Sequence, residues 1–156
     1  MTKTTDWLDG TDFGYYALCP EHGLAGWDGT EANEVFQEFV GRIELPDGSE
    51  VLTIGGEALP VLYLPEDMTF VQCHGSDDDT GLREEVERAV EAPGWQDAVE
   101  ITLGGQYRLI DSGVPGADTE EEYSIRVDIP HGRYRVRTLF VDTSAGMHYL
   151  HRLVAL

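Results

Sequence analysis

Tyr123-Ser-Ile-Arg-Val-Asp-Ile129 places apolar side chains at 123, 125, 127 and 129 and polar ones between them. Alternation of period two marks a strand with one buried face and one wet face. Pro130-His-Gly132 reads as a turn, after which Arg133-Tyr-Arg-Val-Arg137 alternates again and continues through Thr138-Leu-Phe-Val141. A second turn, Asp142-Thr-Ser-Ala-Gly146, precedes a third strand from His148 to Ala155. The expectation is an antiparallel meander that buries Tyr123, Ile125, Val127, Ile129, Tyr134 and Val136. Arg126, Arg133, Arg135 and Arg137 then line its polar face.

Upstream of the meander, short apolar runs alternate with turn residues. Strands are expected at Tyr15–Cys19, Arg42–Leu45, Val51–Ile54, Leu59–Leu64, Thr69–Cys73, Ala98–Leu103 and Tyr107–Ile110. Pro46-Asp-Gly-Ser49 supplies a hairpin-like turn, and Gly55-Gly56 and Gly104-Gly105 punctuate the rest. Two segments switch to helical spacing. Thr30 can cap a helix with Ala32, Val35, Phe36, Phe39 and Val40 on one face. Thr80 can cap a second, striped by Leu82, Val86, Ala89 and Val90 and stopped before Pro93-Gly94. The fold class expected is α+β, mostly β: antiparallel, sandwich-like sheets with two short helices in a single domain over residues 1–156.

Composition narrows the function. The 156 residues carry 41% hydrophobic side chains, globular values that exclude a disordered acidic tail. A chain of this length buries about 70% of its unfolded surface. Two cysteines, Cys19 and Cys73, make no disulfide framework and fit a reducing compartment. The N-terminal residues lack the apolar stretch of a signal peptide, and no run approaches the ~20 apolar residues of a membrane span. A soluble, cytoplasmic protein is expected.

The charge is lopsided. Residues 1–122 hold 28 acidic and five basic side chains, a net of −23, whereas residues 123–156 hold two acidic and five basic, a net of +3. Such self-repulsion weakens the compact state and is retained for a reason: a basic partner, steered by the field, or life in high salt or a high-GC proteome. Nine Arg against a single Lys suit the second. Nucleic acid is disfavoured as a direct partner, because phosphate binding needs a continuous positive surface. The arginine row is expected to pair internally, with carboxylates on neighbouring strands.

No catalytic motif is present: no nucleophile elbow, phosphate-binding glycine loop or His-Glu-x-x-His. Cys19-Pro-Glu-His22 and Cys73-His74 offer four zinc ligands, but adjacent strand residues point to opposite faces. Asp77-Asp-Asp79 is no EF-hand, since Gly81, Leu82 and Arg88 stand where that loop needs an acceptor, a glycine and a glutamate. No enzyme activity, metal or cofactor is expected.

Four segments in order carry a resemblance. They are Ile54-Gly-Gly-Glu-Ala-Leu-Pro-Val-Leu-Tyr-Leu-Pro65, Ile110-Asp-Ser-Gly-Val-Pro-Gly-Ala-Asp118, Ile129-Pro-His-Gly-Arg-Tyr-Arg-Val-Arg137 and His151-Arg-Leu-Val154. Together they resemble immunity protein family twenty-one of bacterial polymorphic toxin systems, over roughly residues 13–154. The resemblance implies a cytoplasmic protein that neutralises a cognate toxin by binding it, with no catalytic residues to transfer. The glycines, prolines and alternating apolar residues of these segments look like scaffold, so specificity is expected in charged surface segments.

The partner is therefore expected to be a cognate protein toxin or another basic protein, with no membrane. Its expected seat is the densest run of acid: Glu66, Asp67, Asp77, Asp78, Asp79, Glu84, Glu85 and Glu87, with Glu120, Glu121 and Glu122 as second choice. Acid before a helix N-terminus favours the fold, but capping needs only one or two carboxylates. An acidic mimic of DNA, as an anti-defence protein would be, is the alternative. A carbohydrate- or small-ligand-binding β domain, with Trp7, Trp27 or Trp95 as a stacking platform, is the third reading.

Overall fold

The computed structural model describes residues 15–27, 40–45, 47–55, 61–74, 82–119, 124–143 and 146–156. Its strands are β1 (Tyr16–Pro20), β2 (Val40–Glu44), β3 (Glu50–Ile54), β4 (Val61–Leu64), β5 (Thr69–His74), β6 (Gln96–Asp111), β7 (Ile125–Thr143) and β8 (Gly146–Ala155). One α-helix, α1 (Leu82–Val90), and two 3-10 turns, Glu21–Gly26 and Gly116–Asp118, complete the described elements. Every pairing is antiparallel, and the strands join in the order β2-β3-β1-β6-β7-β8-β5-β4. The mostly-β α+β expectation holds. Among the described residues no helix is long and apolar enough to cross a membrane.

The sheet becomes sandwich-like through one bend. Gly104-Gly105 and Pro130-His-Gly132 both read as turns from sequence, yet each lies inside a continuous strand. They face each other across the ladder, with Leu103 opposite Gly132 and Gly105 opposite Ile129. Strand β7 carries one residue more than β6 between those partners, so the buried phase of β7 flips from Val127 and Ile129 to Tyr134 and Val136. A bulge of this kind bends the strand and sharpens its twist. Gly105 sits there at φ +108°, a conformation open to glycine. Two tyrosine hydroxyls take backbone groups at the bend: Tyr107 accepts the N–H of Gly104 at 2.8 Å, and Tyr134 donates to the carbonyl of Pro130.

On one side of the bend, β1, β2 and β3 extend the layer begun by Tyr107–Asp111. On the other, β8, β5 and β4 extend the layer begun by Tyr134–Thr143. The inner faces meet in one cluster that joins Leu18, Val40 and Leu52 to Phe70, Val136 and Leu153. Val127, Ile129, Tyr134 and Val136 are buried there as expected, Ile125 packs against the cluster half-buried, and Tyr123 lies outside the described residues.

Each layer is also covered from outside. Val86 and Ala89 of α1 pack on Leu62, Leu64, Val71, Leu139 and Leu150. Trp95 donates its indole N–H to the Ala89 carbonyl at 2.9 Å and closes the C-terminal end of the helix. On the opposite layer Trp27 covers Ala17, Cys19, Val51 and Ile110. Of the other expected helix, Val40 already belongs to β2, and residues 30–39 lie outside the described residues.

Candidate partner-binding surface

The expected acidic seat divides among different settings. Glu66 and Asp67 occupy the β4–β5 turn, where Glu66 is exposed and Asp67 half-buried. The Asp67 carbonyl accepts the Thr69 hydroxyl at 2.8 Å, and its Oδ2 is enclosed without a hydrogen-bond partner. That carboxylate belongs to the turn more than to the surface. On α1, Glu84 and Glu87 are exposed, as is Arg88, because Val86 and Ala89 fix the opposite stripe on the sheet. Glu85 is half-buried instead of facing open solvent, and its charge reaches His148 on β8. Burial nonetheless pushes His148 below the ordinary imidazole range. Asp77, Asp78, Asp79, Glu120, Glu121 and Glu122 lie outside the described residues, as does the expected cap Thr80.

The arginine row is committed internally. Arg137 donates from Nε to Asp97 at 3.0 Å, Arg135 lies 3.8 Å from Asp97 and 3.3 Å from Glu100, and Arg133 lies 3.6 Å from Glu100. Two carboxylates on β6 thus serve three guanidinium groups on β7. A second irregularity makes this possible: Asp97 pairs with Arg137 and Val99 with Val136, so Ala98 bulges and sets Asp97 and Glu100 on one face. Farther along, Glu21 accepts Arg108 Nε at 2.8 Å and lies 4.0 Å from Arg126. Arg42 reaches Glu50 at 3.6 Å. Each arginine of the row thus has a carboxylate within 4.0 Å, although the three acids Glu21, Asp97 and Glu100 do not cancel the five guanidinium groups they serve.

Two other groupings lack the arrangement that their chemistry needs. His22, Asp47 and Ser49 come together on the surface, but Ser49 Oγ at 3.0 Å and Asp47 Oδ2 at 3.5 Å both approach the same nitrogen, Nε2. A relay needs the acid on one ring nitrogen and the nucleophile on the other. Asp47 instead holds the turn by accepting the Ser49 N–H at 2.8 Å, which lowers its pKa. Cys19, one of the candidate zinc ligands, is buried and its thiol is pushed up to about 12 by desolvation, while His22 stands exposed. No group of three metal-binding side chains occurs among the described residues.

The tryptophans are structural where they can be described. Trp27 is fully buried and donates to the Ser112 carbonyl at 3.1 Å, and Trp95 is held by α1. Trp27 therefore presents no ring to a sugar, which corrects that reading for it; Trp95 is half-buried, and Trp7 lies outside the described residues.

One feature escaped the sequence reading. The inner face of β7 continues past the core through Thr138 to Phe140, which is 48% exposed. Its ring lies 5.1 Å from that of Tyr149, its partner on β8. Together with Val40, Pro93 and Gln96 they line a cleft of about 740 Å³. A shallower groove of about 370 Å³ runs beside α1, between Arg88, Ala89 and Ala92 on one side and Leu139 and Val141 on the other. Leu139 lines both hollows. The signal was present in sequence: the alternation Tyr134, Val136, Thr138, Phe140 carries a large aromatic beyond the last buried position.

The family model described as Immunity protein 21 matches residues 16–147, from the first residue of β1 to the second of β8. No curated protein and no solved structure matches the chain.

Proposed function

The chain belongs to the Immunity protein 21 family, and we propose that it neutralises its cognate toxin by direct binding, through an acidic surface, to a basic face of that toxin. The stretch from Glu66 to Glu87 is the seat of this contact, with Glu84 and Glu87 as its exposed charges on α1. One observation carries the reading. The arginines of β7 are occupied by Asp97 and Glu100, so that row does not offset Glu84 and Glu87, the exposed acids of α1. A field of net charge −20 attracts a basic protein over long range and orients it before contact. Neutralisation then follows by covering the surface that the toxin uses.

The test is association of the purified protein with the toxin encoded beside it, followed over a range of ionic strength. Glu84→Lys with Glu87→Lys should slow association and flatten its dependence on salt, since rim charges act mainly on the association rate. Wild-type protein that neither binds nor protects against that toxin contradicts the proposal. Unchanged association of the double variant at low salt removes α1 from the interface.

A further inference from the structure

We propose that the sheet face beside α1, where Arg137 stands opposite Arg152, receives carboxylate side chains that the toxin carries next to its basic face. The inference rests on the toxin-binding reading and deepens it: the contact has two patches of opposite sign.

Leu139 of β7 and Leu150 of β8 are partners in the ladder, and α1 packs on both. Two residues along each strand, on the same face, Arg137 is the partner of Arg152. The face that α1 covers thus continues into Arg133, Arg135, Arg137 and Arg152, with Asp97 and Glu100 of β6 among them. Four guanidinium groups stand there against two carboxylates, in a chain that holds 30 acids. The Arg133 and Arg137 side chains are 50% and 41% exposed.

Like charges directly opposite each other in a ladder destabilise it. Asp97 and Glu100 reach Arg133, Arg135 and Arg137, but among the described residues no carboxylate pairs with Arg152. Its Nε is enclosed without a hydrogen-bond partner. A glutamate at 152 would turn the repulsion into an ion pair with Arg137. An arrangement that works against the fold in this way points to use by a partner.

Charge decides what that partner presents. A guanidinium fork takes a carboxylate or a phosphate in two parallel hydrogen bonds. Nucleic acid is negative throughout, and a field of net −20 repels it. A protein whose basic residues meet Glu84 and Glu87 on α1 can bring carboxylates to the neighbouring arginines, because helix and arginines share one face of the sheet.

Position 152 separates binding from folding. With the adjacent toxin immobilised, Arg152→Gln should weaken binding about tenfold, mainly through faster dissociation. Arg152→Glu should weaken it further yet melt no lower than wild type, since the new carboxylate lies opposite Arg137. Arg152→Lys, which keeps the charge but not the fork, should fall between wild type and Arg152→Gln. Stability lost in step with binding would mean that the arginine serves the fold, and overturns the proposal. Binding by wild type that Arg152→Glu leaves unchanged overturns the patch while leaving the function standing. Failure of wild type to bind removes both. Duplex DNA held by wild type and released by Arg152→Glu also overturns it, as does a wild-type dimer in sedimentation that Arg152→Glu splits, since phosphates or a second copy then occupy the arginines.

Discussion

The carboxylate of Glu50 on β3 accepts the backbone N–H of Thr102 on β6 at 2.7 Å. Two residues away, Arg42 on β2 donates to the Glu100 carbonyl at 3.2 Å. β1 pairs with the far half of β6, at Tyr107–Asp111, so along Glu100–Thr102 no strand among the described residues pairs with the edge facing away from β7. Side chains from the β2–β3 hairpin stand in for it. An open edge is a template for pairing with another chain, and charged groups laid across it block that route.

Replacing Glu50 with Ala should therefore cost only about 1 kcal/mol, because water can reach the exposed Thr102 amide. The larger effect is on association. Arg42→Ala with Glu50→Ala should self-associate at concentrations where wild type does not, read by light scattering. Equal scattering from both proteins would show that the edge needs no cover.

The bend between the layers makes a paired prediction. An added Cβ at Gly104 would lie 2.1 Å from the His131 ring, whereas at Gly105 it meets nothing but demands φ +108°. Gly105→Ala should lose about 1–2 kcal/mol of stability through backbone strain. Gly104→Ala should also destabilise, and His131→Ala should restore that loss but leave the Gly105→Ala loss untouched. Additivity in both pairs would mean the ring is not the obstacle.

Stability should fall as pH drops below about 6.5, the unfolded histidine value. His151 is fully buried, with Nε2 2.7 Å from Gln72 Oε1 and Nδ1 3.0 Å from Thr138 Oγ1, and desolvation holds its pKa down at about 3. Between those two values the unfolded chain binds a proton that the folded one refuses. The slope for one such group is about 1.4 kcal/mol per pH unit, with stability lost on acidification. His148, also lowered by burial, acts in the same direction. Denaturant unfolding from about pH 6.5 down to about 5.5 should show a slope that grows toward this value in wild type and stays shallower in His151→Gln.

Trp27 ties its loop to the segment that follows β6. Its indole donates to Ser112 and its carbonyl accepts the Gly116 N–H at 2.8 Å. Trp27→Phe should cost about 2 kcal/mol, from an emptied volume and an orphaned carbonyl in a buried site. A midpoint shift too small for that in urea would place the loop outside the cooperative unit.

Much of this was legible in the chain. Alternation in residues 123–137 located β7 and its buried side chains, and the helical stripe at Val86 and Ala89 located α1 and its packing face. The bend was not legible as a bend. Gly104-Gly105 and Pro130-His-Gly132 look like ordinary turns until Leu103 is known to pair with Gly132, and such pairing is non-local. Internal pairing of the arginines was expected from their row, but the partners depended on the Ala98 bulge, which no local pattern announces. Trp27 was open to a platform reading, the last of three, because two of the residues that bury it, Val51 and Ile110, are distant in sequence.

The position of β8 has a consequence for synthesis. Chain order runs β4, β5, then β6, β7, β8, yet β8 lies between β7 and β5 in the sheet, with Phe70 paired to His151. The β4–β5 hairpin leaves the ribosome early and has no place in the sheet until β8 follows. Its hydrophobic face, with Phe70 and Val61, must wait through the making of both long strands. Contacts of such sequence separation form slowly and leave sticky edges exposed meanwhile. A ribosome stalled within β8 therefore leaves the β4–β5 hairpin without the strand that joins it to the rest of the sheet.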